Sequence, residues 1–187
     1  MNDALAARLR EISRRLAAHG IPFIVVGSVA ALAPGRSRST QDFGLVIDSD
    51  LARLRAFVRD LPEERFYASE EAAMEAARDG SMFNVVDVET GWKVDLILRK
   101  NRPFSIEEFG RRVEVAVLGL RLPVASVEDV IIAKLEWSSL GGGSRRQRED
   151  VVALLEQARD RLDLAYVECW VDALGLRDEW EALRRPG

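Results

Sequence analysis

The sequence predicts an α+β fold: a mixed β-sheet flanked by helices, followed by a helical C-terminal segment. Three observations carry this. Short apolar runs of strand type are interleaved with amphipathic helical stretches over residues 1–125. Two of those runs, 83–88 and 92–98, are joined by only Glu89-Thr90-Gly91, which fits an antiparallel hairpin. From Ser126 onward the helical pattern continues to the end, broken at Gly141-Gly142-Gly143-Ser144. The expected division is therefore an α/β core over 1–125 and a helical segment over 126–187, packed on that core.

Each element follows from its residues. Leu5, Leu9, Ile12 and Leu16 recur at helical spacing, predicting a first helix over 3–18. His19-Gly20 ends it, Gly20 suiting a left-handed position; a helix-terminal role for His19 outweighs a chemical one. Phe23-Ile24-Val25-Val26 is a buried-strand run broken by Gly27-Ser28, and Val29 to Ala33 reads as a short helix stopped by Pro34-Gly35. A basic polar loop, Arg36 to Gln41, precedes a strand over 42–48. Helices are expected over 50–61 and over 69–79, the latter ended by Gly80. The hairpin strands come next, then a helical turn over 105–110 and one or two strands in 112–124.

Composition narrows the chemistry. A chain of 187 residues, 48% apolar and 31% charged, buries an ordinary globular core without staples. One cysteine, Cys169, excludes an intrachain disulfide and cysteine-based zinc sites; among Val167, Trp170, Val171 and Leu174 it reads as a packing residue. One histidine, His19, excludes HExxH proteases and three-histidine zinc centres. The amphipathic, charged N-terminus is not of signal-peptide type, and no run approaches the ~20 apolar residues of a membrane helix. A cytoplasmic protein without membrane contact is the expectation. The net charge of -4 excludes a nucleic-acid-coating polycation.

Strand alternation singles out two carboxylates. In 42–48, Phe43, Leu45 and Ile47 share one face, and Asp42, Gly44, Val46 and Asp48 the other. Asp95 interrupts the apolar strand Trp92 to Leu98, where a carboxylate costs stability unless paired, solvated or metal-bound. A rim carboxylate paired with an arginine is the plain alternative. Lys134 is anomalous too. On a helical wheel, Val127, Val130, Ile131, Leu135 and Trp137 cover one side, with Lys134 in the middle of the arc. Ser126 and Asp129 form a capping box that supports this register. A lysine there needs an anion or must snorkel. Gly141 to Ser144 lacks phosphate-loop spacing and reads as a linker.

The order of these pieces resembles the nucleotidyltransferase superfamily, the DNA polymerase β-like fold. An apolar strand ends in Gly27-Ser28, residues 29–41 intervene, Asp42-Phe43-Gly44-Leu45 follows, and Asp95 lies in a later strand. GRSRSTQDFGLVID resembles the "R-x-T-x-D-I-D-L" segment of bacterial proteins related to AbiEii toxins. Ser126 to Leu135 resembles the "S-x-E-D-L-I-x-x-K-L" helix of that group, and Arg146 to Val151 its "R-x-x-x-D-V" helix start. The likeness spans roughly residues 20–160.

The resemblance implies transfer of a nucleotide from an NTP to an RNA such as tRNA or to a protein, within a toxin–antitoxin setting that adds an antitoxin as a possible partner. Asp42 and Asp95 would hold Mg²⁺ or Mn²⁺, hard ions that take carboxylate and phosphate oxygens. Gly27, Ser28 and Lys134 would hold the triphosphate, at a helix start that favours phosphate. Arg38 and Thr40 could add phosphate or RNA contacts, a solvated loop being the plainer role. Asp150 has a family match, although an acid at a helix start also favours the dipole. For Gly27-Ser28 the plain alternative is a strand-to-helix turn, and for Lys134 a salt bridge to a core-edge carboxylate.

Gly44 departs from the pattern. The family has a second acid there, and its loss removes one negative charge and one ligand oxygen from the expected catalytic set of Asp42, position 44 and Asp95. Weak metal binding and reduced or absent transfer are expected. Asp48 lies ~13 Å further along the strand and cannot substitute in place. Asp87 and Glu89 are possible replacements. Three explanations compete: a degenerate transferase that still binds a nucleotide or partner, an inactive variant of an active enzyme, or an enzyme completed by an acid from elsewhere. A non-catalytic nucleotide- or partner-binding module on the same fold is the alternative function.

Overall fold

The computed structural model describes residues 2–27, 42–117, 119–140 and 145–184. These form two compact units, Met1–Val124 and Ala125–Gly187. The first holds a seven-stranded mixed sheet in the order β3-β4-β5-β2-β1-β7-β6. In chain order its elements are α1 (Asn2–Ala18), β1 (Phe23–Val26), β2 (Asp42–Ile47), α2 (Leu51–Arg59), β3 (Phe66–Tyr67), α3 (Glu70–Asp79), β4 (Met82–Asp87), β5 (Lys93–Leu98), α4 (Pro103–Gly110), β6 (Val113–Val117) and β7 (Leu120–Val124). The second unit is helical: α5 (Val127–Leu140), α6 (Arg145–Ala158), α7 (Leu164–Ala173) and α8 (Arg177–Arg184).

Local chemistry sets the boundaries. Gly20, at φ +63°, turns the chain out of α1, whose buried stripe is Leu9, Ile12 and Leu16. His19 places Nε2 3.3 Å from Asp60 and sets its ring edge-on to Phe57, a structural position at the helix end. Asp50 and Ser69 accept the Arg53 and Ala72 amides and so cap α2 and α3. Pro103 at the first turn extends α4 to eight residues, two of them ahead of the turn expected from 105. Residues 112–124 form a hairpin, β6 antiparallel to β7. β3 is an element without a sequence signal, because two residues show no period.

One face of the sheet is the core. Val25, Leu45, Ile47, Phe83, Val85, Val94, Leu96 and Leu98 meet Leu9, Ile12 and Leu16 of α1, Leu54, Phe57 and Val58 of α2, and Ala73, Met74 and Ala76 of α3. The register makes this face continuous: Val25 pairs with Leu45, Leu45 with Leu96, and Leu96 with Phe83. The side chains between them in sequence stand on the other face. That second face carries the candidate site.

Candidate functional site

Four strands place one row of residues across the second face. β2 and β5 are parallel neighbours, with Asp42 opposite Lys93, Gly44 opposite Asp95 and Val46 opposite Ile97. β4 runs antiparallel to β5 and sets Asn84 against Asp95. β1 runs antiparallel to β2 and sets Val26 against Gly44. The row is therefore Asn84, Asp95, Gly44, Val26. Asp95 is half-buried and accepts a hydrogen bond from the Asn84 amide, Nδ2 to Oδ1, at 2.5 Å.

This arrangement gives Gly44 its meaning. Position 44 is the direct neighbour of Asp95 across the ladder and stands two residues beyond Asp42 on its own strand. Asp42 and Asp95 lie on a diagonal, roughly 8 Å apart at Cα from strand spacing and rise. A side chain at 44 would neighbour both. The donor type fits a hard divalent cation, and the set is one carboxylate short of the resembled triad. Among the described residues no group of three or more His, Cys, Asp or Glu side chains is placed to hold a metal. The Asp42 side chain lies outside what the structure describes.

Neither nearby acid replaces the missing one. Asp87 belongs to the core face: it is 2% exposed, pairs with Arg8 and accepts from the Thr90 amide and hydroxyl. Glu89 stands on the hairpin turn and reaches Arg8 at 3.3 Å. Asp48 pairs with Arg99 at 3.1 Å.

Gly27 ends β1 at φ +79°, and a Cβ built there would meet no described atom within 4 Å. The backbone itself favours glycine here. Ser28, Arg36, Arg38, Thr40 and the short helix expected over 29–33 lie outside the described residues, as does the linker at 141–144.

In the helical unit, Lys134 is 8% exposed on α5. Its Nζ donates to Asp150 Oδ2 at 2.8 Å and to Gln147 Oε1 at 3.0 Å, both on α6. The anion that the sequence demands of this lysine is supplied here by Asp150. Asp150 itself lies more than a turn into α6, and so is not at a helix start; its role is to face Lys134. Half of the expected capping box is present: the Asp129 amide donates to Ser126 Oγ at 3.2 Å. The Ser126 hydroxyl donates back to the Asp129 carboxylate at 2.6 Å. Tyr166 donates to the other Asp129 oxygen, also at 2.6 Å, so this buried acid is held by hydroxyls.

Two expectations are corrected here. Trp137 sits at the edge of the apolar arc and is 53% exposed, while Ile132 and Ser138 are buried in its place. Cys169 is exposed, because Val167 and Val171 are the buried residues of α7. Asn84 is the site residue that sequence reasoning missed. Its signal was available: a hairpin through Glu89-Thr90-Gly91 that pairs Asp87 with Trp92 also pairs Asn84 with Asp95.

No protein-family profile matches the sequence. No curated protein matches it either. Solved structures do. The fold is similar to the solution structure of the antibiotic-resistance factor ANT(2'')-Ia, with a TM-score of 0.63 at 16% identity, over 98% of this chain and 97% of that one. The crystal structure of ANT(2'')-Ia in complex with adenylyl-2''-tobramycin gives 0.61 at 16% identity, over 95% and 99%. An antigenic nucleotidyltransferase-like protein from Paracoccidioides brasiliensis gives 0.58 at 16% identity, over 97% and 93%. No helix among the described residues is long and apolar enough to cross a membrane. Chains so distant in sequence share a backbone arrangement, and the chain has a nucleotidyltransferase-like fold.

Proposed function

We propose that this chain is a nucleotidyltransferase-type protein that binds a metal–NTP on the second face of its sheet. In this reading Asp42 and Asp95 hold the divalent cation. The turn at Gly27, with Ser28 beyond it, receives the triphosphate; Arg38 and Thr40 add phosphate contacts. The observation that carries the proposal is the register of β2 and β5. Two carboxylates stand on adjacent parallel strands, and the position between them is where the resembled family carries its second acid.

The cation, when bound, would neutralise triphosphate charge and clamp the reacting oxygens. The chain's own residues would orient it. Asn84 holds the Asp95 carboxylate in place, and the turn at Gly27 lets backbone approach phosphate. With Gly44 in the row, one charge is missing and transfer is reduced or absent. That same deficit favours the second reading, a binding module that takes the nucleotide or a partner without turning it over. For the acceptor, the resemblance supports an RNA such as tRNA or a protein, with an antitoxin as binding partner. The adenylylated tobramycin held by ANT(2'')-Ia adds a small hydroxylated acceptor to be tried.

Two measurements test this. Mn²⁺-dependent NTP binding, followed by calorimetry, is expected for the chain and is expected to be lost in Asp42→Ala and Asp95→Ala. Absence of binding at millimolar NTP removes the proposal. Incubation with Mg²⁺, each α-labelled NTP and RNA, protein or aminoglycoside then separates the readings. Transferred label makes the chain an enzyme, and binding without label makes it a binding module.

A further inference from the structure

Gly44 differs from the glycines that the backbone demands. Gly20, Gly27, Gly80, Gly91, Gly119 and Gly175 have positive φ, and Gly44 does not. Any residue could adopt its extended conformation, and a glycine inside a strand is unfavourable. Space decides instead. A Cβ built on Gly44 would stand 2.9 Å from Val26 Cγ2, 3.6 Å from the Val26 carbonyl oxygen and 3.8 Å from Ile97 Cδ1. The last two are ordinary contacts, and the first is a clash.

The clash has a local cause. Val26 and Gly44 are directly opposed on antiparallel strands, where two Cβ atoms normally stand about 4.5–5.5 Å apart. A γ-methyl at 2.9 Å means that Val26 leans across the ladder into the volume of the absent side chain. Valine is β-branched and stiff at χ1, so that methyl cannot swing aside as the end of a long chain would. Alanine at 26 would remove the clash and leave the two ordinary contacts, to the Val26 carbonyl oxygen and Ile97 Cδ1.

We infer that Val26 and Gly44 are a coupled pair: Val26 fills the place of a carboxylate at position 44, so the site is closed by packing as well as by the loss of one acid. This rests on the function proposed above only for what the missing group would do; the coupling itself is a packing statement. It implies that Gly44→Asp alone does not rebuild the acidic row, and that Val26→Ala must accompany it.

The test is a double-mutant cycle with two readouts. Thermal unfolding is followed for the wild type, Val26→Ala, Gly44→Ala and the Val26→Ala/Gly44→Ala pair, which isolates space from charge. Gly44→Ala is expected to lower the unfolding midpoint by several degrees in the wild type and to leave it level or raise it beside Val26→Ala. An equal drop in both backgrounds overturns the inference. Mn²⁺ affinity is then measured by the loss of the free-ion electron-resonance signal for Gly44→Asp and for Val26→Ala/Gly44→Asp. At least tenfold tighter binding by the pair is expected. Coupled midpoints with no gain in Mn²⁺ affinity would uphold the packed pair and overturn the metal-site reading, so the two claims fail separately.

Discussion

At the scale of single residues, the two glycines flanking the site are held by different physics and respond differently to substitution. Gly27 sits at φ +79°, with no described atom within 4 Å of its missing Cβ. Gly27→Ala is expected to destabilise the first unit by about 1–2 kcal/mol, the cost of left-handed backbone for an L-residue. Gly27→Asn should cost less, because asparagine tolerates that region. Chemical denaturation of the two variants checks this; equal penalties would show that the position is governed by crowding. Asn84 makes the complementary prediction. Its amide donates a hydrogen bond to Asp95. Asn84→Ala should leave the fold intact and weaken Mn²⁺–NTP binding several-fold by freeing the carboxylate to rotate. An unchanged affinity would make that hydrogen bond an ordinary feature of the ladder.

At the scale of elements, α5 and α6 are joined by a largely buried ion pair, Lys134 to Asp150, with Gln147 as second acceptor. Removing one member strands a buried charge, so Asp150→Ala is expected to cost the helical unit roughly 3 kcal/mol. Replacing both, Lys134→Met with Asp150→Leu, should restore most of that stability. The double variant also tests the nucleotide contact that the family resemblance implies for Lys134. Its NTP affinity should fall several-fold while its unfolding matches the wild type. Equal affinity would confine Lys134 to the ion pair. The sequence showed that this lysine stands on a buried stripe, and it showed the capping box that sets the register. It could not show the anion, because a carboxylate sixteen residues away and a bound phosphate satisfy the same charge. Elements were legible wherever a period ran long enough: α1, α2, α3 and the β4–β5 hairpin lie within a few residues of their expected bounds. β3 was not, and Trp137 and Cys169 were placed inside because periodicity sees one helix face but not how much of it a neighbour covers.

At the scale of the molecule, the core face of the sheet was written in alternation, and the candidate row was not, because it depends on strand order. Asp42 and Asp95 could be named from their strands. That Gly44 lies against Asp95, and that Asp87 faces the opposite way beside Arg8, required the pairing of β2 with β5 and of β4 with β5. Three carboxylates stand at the ends of the helices over the core: Asp50 caps α2, Asp60 meets α1, and Glu70 joins α3 to α2. A hydrogen bond from the Arg53 backbone holds Asp50 below the usual carboxylate range, His19 does the same for Asp60, and Arg59 for Glu70. A carboxyl group whose folded value is depressed stabilises the fold above its unfolded value, about 4, and loses that contribution as pH falls through the folded value. The denaturation midpoint is therefore expected to be level from pH 7 to about 5 and to fall below pH 4. These groups are solvent-exposed, so the effect should shrink with added salt. The variant Asp50→Asn/Asp60→Asn/Glu70→Gln should start from a lower midpoint at pH 7 and show a flatter acid limb. An acid limb as steep as the wild type's would move the origin of acid sensitivity away from these helix ends.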